Sequence, residues 1–207
     1  MTIPRFYVPG PWTSDRITFP EKASHHAMRV LRMRNGDEAE VFDGEGRTAR
    51  GRTEFSSEGT VLIAESYPEH GRESPLFITL AQAFVSPDKM EWITEKAVEA
   101  GASRIVFFPA ARSVTKLSGD KLTKRLEKLR ATAVSACEQC GRSRIPEIET
   151  FASAEAMLSG LNADARVILA PSSDPGLALG AARSVVFAVG PEGGFSEEEL
   201  TLADGAG

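Results

Sequence analysis

The sequence predicts an α/β protein with two domains, a β-rich domain over residues 1–72 and an α/β domain with a largely parallel sheet over residues 73–207. Three observations lead to this prediction. Short strand patterns separated by glycine-rich turns fill the first part of the chain. A polar, unpatterned stretch over residues 68–75 marks a boundary, and strand and helix patterns alternate after it.

The N-terminal domain is predicted to be a small barrel or meander. Its predicted elements are a short helix over 23–31 and strands over 38–42, 47–53 and 60–66. The connections Asp43-Gly44-Glu45-Gly46 and Ser56-Ser57-Glu58-Gly59 have the residue types of hairpin turns, so neighbouring strands are expected to pair.

The second domain begins with a predicted strand, helix and strand. An apolar strand pattern covers 76–84, and Ser86-Pro87 predicts a helix start with a serine cap and a proline at the first helical position. Gly101 is expected to end this helix, and the next strand covers 104–108. The residues expected on the inner helix face are Met90, Ile93, Ala97 and Ala100.

A longer helix is predicted over 120–140, followed by two buried strands over 167–170 and 185–189. Asp174-Pro175-Gly176 and a short alanine-rich helix are expected to separate the strands. The stripe expected to face the core is Leu122, Leu126, Leu129, Ala133, and Ala136 or Cys137. This alternation predicts a sheet of mainly parallel strands.

The most informative motif is the glycine-rich loop that follows the strand over 185–189. Gly190, Gly193 and Gly194 allow the backbone to adopt positive φ and let a ligand approach the main chain. Ser196 and Glu199 form a capping box, which predicts a helix start. Ligands of open α/β sheets bind beyond the carboxyl ends of strands, so the loop is a candidate ligand site. A tight structural turn is the alternative.

The loop does not match the known phosphate-binding patterns, because it lacks both a Lys-Ser/Thr pair and the G-x-G-x-x-G spacing. Glu192 lies in the loop, and residues 197–199 are three glutamates that already satisfy the partial positive charge of the helix start. A neutral or cationic nucleoside therefore fits better than a nucleotide. S-adenosylmethionine, which has a sulfonium and no phosphate, is such a ligand.

Cys137 and Cys140 form a C-x-x-C pair, for which we predict a structural, reduced role. Zinc requires four ligands, and the three histidines lie far away in the sequence. The pair also falls at the end of a predicted helix, where the dipole disfavours a thiolate. No metal is expected. The first twenty residues contain no apolar core of signal-peptide length, and no run of 18 apolar residues occurs, so a cytoplasmic protein that does not enter membranes is expected.

The net charge of −5 conceals a basic block over residues 112–144. Its nine cations are Arg112, Lys116, Lys121, Lys124, Arg125, Lys128, Arg130, Arg142 and Arg144, against the three acids Asp120, Glu127 and Glu138. Such a block can face nucleic acid. A solvated helix face is the alternative, and the more ordinary one for Lys121, Lys124 and Lys128.

Five segments in order carry a family resemblance. They are Arg5-Phe6-Tyr7-Val8, His26–Arg32 followed by Asn35-Gly36-Asp37 and Asp43-Gly44, Asp88–Ile93 with Glu95-Lys96, Glu138–Ser143, and Gly190–Ser196. Together they resemble the RsmE-type 16S ribosomal RNA (uridine-N3) methyltransferases of the SPOUT superfamily, and the resemblance covers essentially the whole chain.

The resemblance implies a PUA-like RNA-binding β-barrel over 1–72 and a SPOUT α/β domain of trefoil-knot type over 73–207 that binds S-adenosylmethionine and dimerises. It implies methyl transfer to N3 of a uridine in the 16S ribosomal RNA of the small subunit. The family pattern continues beyond the glycine loop with a loop over the cofactor and a helix threaded through the knot. Because this chain stops at Gly207, the knot segment and one wall of the pocket are expected to be missing from it.

Candidate site residues follow from these arguments. For the cofactor, the resemblance implies Leu169, Gly190, Glu192, Gly193 and Gly194, at two successive strand ends. Arg112 follows the strand over 104–108 and is the first candidate to stabilise charge on the base, with a phosphate contact or a surface salt bridge as alternatives. Glu138 or Glu192 would accept the proton. The expected RNA contacts are Arg5, Arg29, Arg32, Arg34, Lys89, Lys116 and Arg142.

Two other functional classes stay open. A non-catalytic RNA-binding or ribosome-assembly module would bind RNA with a salt-dependent affinity and ignore the methyl donor. A nucleotide-dependent enzyme of Rossmann type is opposed by the acidic loop and by the missing fingerprint.

Overall fold

The computed structural model describes residues 3–57, 59–69, 73–170 and 179–206. The chain forms two compact units. Unit 1 comprises Met1–Glu73 and Cys137–Ile145, and unit 2 comprises Ser74–Ala136 and Pro146–Gly207. The domain limits 1–72 and 73–207 stay a prediction, and no sequence pattern indicated that Cys137–Ile145 packs within unit 1.

Unit 1 contains a five-stranded sheet in the order β1-β3-β4-β5-β2. The strands are β1 Arg5–Tyr7, β2 Arg16–Thr18, β3 Glu38–Phe42, β4 Thr48–Ser56 and β5 Gly59–Ser66. β1 pairs in parallel with β3, and the other pairs are antiparallel. The three longer strands were predicted. The two three-residue strands were missed because so short a segment shows no periodicity.

The helical part of unit 1 is α1, Glu21–His25, which continues into a π-helical turn over His26–Val30. This agrees with the helix predicted near 23–31. The core of the unit includes Phe6, Val41 and Leu62, which the alternation of the strands directs inward.

Gly51 is required by the pairing of β4 with β5. The register shifts between Arg50 and Gly51, and a Cβ at Gly51 would lie 1.8 Å from the carbonyl oxygen of Ile63. A side chain at this position would therefore separate the two strands.

Unit 2 contains a parallel five-stranded sheet in the order β8-β7-β6-β10-β9, which confirms the predicted parallel sheet. The strands are β6 Phe77–Ala83, β7 Arg104–Phe108, β8 Glu147–Thr150, β9 Ala165–Leu169 and β10 Ser184–Val189, and the helices are α2 Pro87–Glu99, α3 Gly119–Cys140, α4 Ala154–Gly160 and α5 Glu197–Ala206. β8 and α4 were not predicted.

The strand order of unit 2 reverses between β6 and β10. The chain runs from the central β6 outward through β7 to β8, and then crosses to β9 at the opposite edge. β10 returns to lie between β9 and β6. The carboxyl ends of β6 and β10 therefore flank the topological switch point, where open α/β sheets bind their ligands.

The strand predicted near 167–170 is present as β9, but the prediction that it is buried was wrong. β9 lies at the sheet edge and none of its residues is buried, because only one side of the strand has a hydrogen-bonded neighbour. Asp174-Pro175-Gly176 and the start of the predicted alanine-rich helix lie outside the described residues. Residues 179–183 form a turn rather than a helix.

The inner face of α2 also differs from the prediction. Its buried residues are Met90, Thr94, Ala97 and Val98, whereas Ala100 is exposed. The helix is thus rotated slightly from the expected orientation, which brings the polar Thr94 inward, where its hydroxyl donates to the carbonyl oxygen of Met90 at 2.8 Å. Ser86 precedes the helix, but its side chain makes no capping hydrogen bond.

The core-facing stripe of α3 agrees with the prediction in its second half. Leu129, Ala133, Ala136 and Cys137 are buried, whereas Leu122 and Leu126 are only half-buried. Burial raises the pKa of the Cys137 thiol to about 12, which opposes thiolate chemistry and fits the predicted structural role. Within the described part of the chain, no helix is long and apolar enough to cross a membrane.

Candidate functional site

The glycine-rich loop of unit 2 leaves β10 at the topological switch point. Val189, the last residue of β10, is aligned with Leu169 of β9 on one side and with Gln82 of β6 on the other. Leu169 is 53% exposed, although it is a large apolar residue. The structure therefore brings Leu169 and Gly190 to neighbouring strand ends, as their sequence positions suggested.

The three glycines of the loop have different roles. Only Gly194 adopts a positive φ, of 70°, so Gly190 and Gly193 do not use the positive φ that glycine allows. A Cβ on Gly190 would lie 3.0 Å from the carbonyl carbon of Gly194 and 3.1 Å from the amide nitrogen of Phe195. Gly190 is therefore needed because the loop folds back tightly on its own backbone. Next to Gly194, the Cβ position is open space.

Three side chains from separate elements hold the loop. Gln82 of β6 donates from Nε2 to the carbonyl oxygen of Gly190 at 3.1 Å. Lys89 of α2 donates from Nζ to Oε1 of Glu192 at 2.9 Å. Arg112, in the segment after β7, donates from Nη1 to the carbonyl oxygen of Gly193 at 2.9 Å. The sequence argument missed Gln82, whose only signal was a polar residue within the apolar strand pattern over 76–84.

The start of α5 fixes the far end of the loop. The amide nitrogen of Ser196 donates to Oε2 of Glu199, and the amide nitrogen of Glu199 donates to Oγ of Ser196, which confirms the predicted capping box. The second carboxylate oxygen of Glu199 accepts from the amide nitrogen of Ala111 at 2.8 Å. Glu199 therefore connects the helix start to the segment after β7.

The aromatic ring of Phe195 anchors the loop in the core of unit 2. Phe195 is buried and stacks on Phe108 of β7, with ring centroids 6.3 Å apart and an interplanar angle of 10°. The loop is consequently held both by the packing of Phe195 in the core and by the polar contacts of Gln82, Lys89 and Arg112.

The three predicted catalytic residues lie in different environments. Arg112 and Glu192 are both exposed; Glu192 is part of the glycine loop, and Arg112 donates to it. The hydrogen bond from Lys89 lowers the pKa of Glu192, which makes its carboxylate a weaker proton acceptor. Glu138 belongs to unit 1, where its Oε1 accepts from the amide nitrogen of Tyr7 at 3.0 Å, and burial raises its pKa.

Two of the residues predicted to contact RNA bind acceptors inside unit 1. Arg5 forms an ion pair with Glu40, with 2.6 Å between Nε and Oε1, and donates from Nη1 to the carbonyl oxygen of Cys137. Arg142 is 5% exposed and forms an ion pair with Glu73, with 2.8 Å between Nη2 and Oε2. The guanidinium groups of Arg5 and Arg142 thus already donate to protein acceptors, and their contact with RNA stays a prediction.

The remaining predicted RNA contacts lie on the surfaces of their units. Arg29, Arg32, Arg34, Lys89 and Lys116 are exposed. Their contact with RNA stays a prediction. Lys89 is the one among them that also holds the glycine loop, through Glu192.

A separate cavity of about 210 Å³ lies on one face of the sheet in unit 2, between α4 and α5. Its lining includes Met157, Leu161, Ile168, Val186 and Ala203. None of the predicted cofactor residues lines this cavity, and its walls are mainly aliphatic. The glycine loop, which offers main-chain polar groups at the switch point, is therefore the better candidate for a nucleoside ligand. Within the described residues, no group of three or more His, Cys, Asp and Glu side chains is arranged to hold a metal ion.

Two known protein families match parts of this chain. Residues 72–207 match the family described as RNA methyltransferase domain, and residues 19–64 match the RNA methyltransferase PUA domain. The chain is 32% identical over 199 residues to ribosomal RNA small subunit methyltransferase E of Bacillus subtilis, covering 87% of this chain and 77% of the relative. The relative of the same name from Mycobacterium tuberculosis is 32% identical over 194 residues, covering 88% and 72%.

Solved structures give the same result. A methyltransferase from Legionella pneumophila with the cofactor SAM bound superposes with a TM-score of 0.93 at 29% identity, covering 100% of this chain and 87% of that one. Ribosomal RNA small subunit methyltransferase E from Neisseria gonorrhoeae, bound to S-adenosyl methionine, superposes with a TM-score of 0.85 at 30% identity, covering 99% and 86%. The chain has an N-terminal PUA-like domain and a SPOUT-like α/β domain, and it belongs to the RNA methyltransferase family of RsmE type.

Proposed function

We propose that this chain methylates ribosomal RNA of the small subunit with S-adenosylmethionine as the methyl donor. The observation that carries the proposal is the glycine loop at the switch point of the unit 2 sheet, held by Gln82, Lys89 and Arg112. Its position is that of a ligand site in an open α/β sheet. The Legionella and Neisseria relatives, which carry this cofactor, support the assignment.

The residues at the loop fit S-adenosylmethionine. Leu169 presents an exposed apolar side chain at the neighbouring strand end, suited to one face of an adenine ring. Gly194 leaves open space beside the backbone, and the acidic helix start favours a cationic ligand over a phosphate. When bound, S-adenosylmethionine supplies an electrophilic methyl group on a sulfonium. Leu169, Gly190, Glu192, Gly193 and Gly194 would form its cradle.

Arg112 is the proposed stabiliser of charge on the base. If the target is uridine N3, that nitrogen would lose its proton, and the negative charge would spread to the neighbouring carbonyl oxygens. The charge would be neutralised when N3 bonds to the methyl carbon and the bond from that carbon to sulfur breaks, so that the sulfonium would leave as a neutral thioether. Arg112 is bound to the loop through Nη1, and the described residues offer its guanidinium no other hydrogen-bond partner. Its remaining N–H groups are therefore available to a substrate oxygen.

The proton acceptor is proposed to be Glu138 or Glu192. A carboxylate with a raised pKa is the better acceptor near neutral pH. Burial raises the pKa of Glu138, whereas the hydrogen bond from Lys89 lowers the pKa of Glu192. The pKa shifts therefore favour Glu138 chemically, and Glu192 is better explained as a partner of Lys89.

Two surfaces are proposed to bind the RNA backbone. In unit 1, Arg29, Arg32 and Arg34 are exposed close together in sequence. In unit 2, the described residues provide no ion-pair partner for Lys116, Lys121 or Lys124, whereas Arg125 and Lys128 both reach Glu91, at 2.7 and 3.7 Å. Unpaired exposed cations are the groups that phosphates attract most readily. We also propose that the enzyme acts as a homodimer in the cytoplasm, where its ribosomal substrate is assembled.

A methylation assay tests the proposed function. Small ribosomal subunits or 16S ribosomal RNA that lack the modification are incubated with the chain and methyl-labelled S-adenosylmethionine, and digested nucleosides are then identified by mass spectrometry. We expect 3-methyluridine. Incorporation into another nucleoside would refute the uridine-N3 assignment. RNA binding without incorporation, combined with no calorimetric signal for S-adenosylhomocysteine, would support the non-catalytic RNA-binding module instead.

A further inference from the structure

We propose that Gln82 is a positioning residue for the cofactor, because its buried side-chain amide fixes the first turn of the glycine loop. This inference depends on the proposed methyl-donor function of that loop. It assigns a role to a residue of β6 that lies outside the loop and that no glycine-loop pattern includes.

Gln82 occupies an unusual place for a glutamine. It is 4% exposed at the end of a central strand, between Ala81 and Ala83, which are fully buried. An amide buried without hydrogen bonds destabilises a protein, so an amide at this position needs partners. An apolar residue would satisfy the packing alone, which indicates that the amide has a second role.

The amide of Gln82 faces main-chain carbonyl groups. Nε2 lies 3.1 Å from the carbonyl oxygen of Gly190, 3.1 Å from that of Ala83 and 3.5 Å from that of Val189. Only the NH2 group can donate to these oxygens, so the contacts determine the orientation of the amide. The side chain thus joins the ends of β6 and β10 on the two sides of the switch point.

The contact with Gly190 matters because glycine has the widest backbone freedom of any residue. After β10 ends, the path of the chain is least determined at Gly190. The hydrogen bond to its carbonyl oxygen limits that freedom before a ligand arrives, and a preorganised loop loses less conformational entropy on binding. Gln82 would therefore act through the loop and not by touching the cofactor.

The other two loop contacts differ from this one in burial. The Lys89–Glu192 pair is exposed, and Arg112 is exposed as well. Exposed polar contacts compete with water and contribute little to order. Gln82 is the buried member of the set, so we expect its loss to affect the loop most.

The test uses Gln82→Met, which keeps a similar volume and removes the donor, with Thr79→Val as the matched control. Thr79 is also a buried polar residue of β6, and it pairs with Val186 and Arg104, away from the loop. We expect Gln82→Met to weaken S-adenosylhomocysteine binding in calorimetry by about tenfold, the size of one net hydrogen bond. Thr79→Val should leave that affinity unchanged even if it lowers the melting temperature.

Kinetics separate positioning from general destabilisation. With Gln82→Met, KM for S-adenosylmethionine should rise about tenfold, while kcat and KM for RNA change less than about twofold. Gln82→Asn, which keeps the amide on a shorter stem, should give an intermediate affinity. Equal affinity of Gln82→Met and the unchanged chain would overturn the proposal, as would an equal loss with Thr79→Val.

Hydrogen exchange measured without ligand tests the role of Gln82 independently of cofactor binding. Amides of residues 192–196 should exchange faster in Gln82→Met than in Thr79→Val, both without ligand. Unchanged exchange would refute the positioning role. If the unchanged chain failed to bind S-adenosylhomocysteine, the proposed function would be refuted, and the exchange measurement would still decide whether Gln82 orders the loop.

Discussion

Replacing Glu73 by glutamine should destabilise unit 1 in a pH-dependent way. The Glu73 carboxylate accepts from Nε and Nη2 of Arg142, at 3.1 and 2.8 Å, and from the amide nitrogens of Ser143 and Arg144, at 3.0 Å each. Arg142 is 5% exposed, so Glu73→Gln removes a negative charge that contacts a buried guanidinium. Losing one partner of a buried pair destabilises by about 3 to 5 kcal/mol. We expect a loss of stability at the lower end of this range, because Glu73 itself is partly exposed.

The pH dependence has a defined sign. Burial by itself would raise the pKa of Glu73, but the hydrogen bonds from Arg142 and from the two backbone amides outweigh it and lower the pKa. A carboxyl whose pKa is lowered on folding stabilises the protein above its unfolded pKa and loses this contribution as the pH falls through the folded value. The stability difference between the unchanged chain and Glu73→Gln should therefore shrink in acid.

Urea unfolding followed by circular dichroism at neutral and acidic pH measures both effects. Glu95→Gln is the matched control, because Glu95 pairs with Lys96 on an exposed helix surface and should change stability little. A loss for Glu73→Gln below about 1 kcal/mol would refute the reasoning from burial. A loss of equal size at both pH values would refute the charge argument.

The remaining predictions concern the proposed active site and RNA surface. Arg112→Met should lower kcat about 100-fold, because a donor to developing charge is lost, while S-adenosylhomocysteine affinity changes little; single-turnover methylation measures the rate. Gly194→Ala places a side chain at a φ of 70° and should weaken S-adenosylhomocysteine binding at least several-fold in calorimetry, since the strain amounts to about 1 to 2 kcal/mol. Lys121→Met with Lys124→Met should reduce the slope of log affinity for RNA against log salt by about 1.5.

Each of these predictions has a control. Arg112→Lys keeps the charge, and an equal loss of rate in Arg112→Met and Arg112→Lys would show that guanidinium geometry matters. An unchanged rate in both variants would remove Arg112 from the mechanism. Lys96→Met removes a half-buried lysine that is already paired with Glu95 and Glu99, so its salt slope should change less per charge. Equal slopes per charge would support a merely solvated helix face for Lys121 and Lys124.

Local patterns predicted the regular elements best where the segments were long or punctuated. The strands over 38–42 and 104–108 matched the structure to the residue, and the Ser196–Glu199 capping box formed as expected. Apolar periodicity and helix caps depend on neighbours within a few positions, so they can be read from the chain directly. The three-residue strands β1 and β2 were missed because they exist only through pairing with β3 and β5.

The candidate site was predictable only in part for a related reason. The glycine loop was identified because it directly follows a strand, and Leu169 because it lies at the end of another strand. Arg5 and Arg142 were assigned to RNA by charge alone, and the structure shows that both are enclosed within unit 1 by acceptors that include Glu40 and Glu73. A basic residue in a sequence shows only its charge, since its partner is set by the fold.

The sequence by itself determined most of the longer strands and helices, the family and the glycine loop, because these depend on local periodicity, turn chemistry and ordered motifs. Tertiary structure alone decided which distant residues meet. Gln82 reaches the carbonyl of Gly190 across 108 positions, and Arg142 reaches Glu73 across 69. Such pairs depend on strand order and packing, and burial then decides whether a polar side chain is used inside the protein or remains available to a ligand.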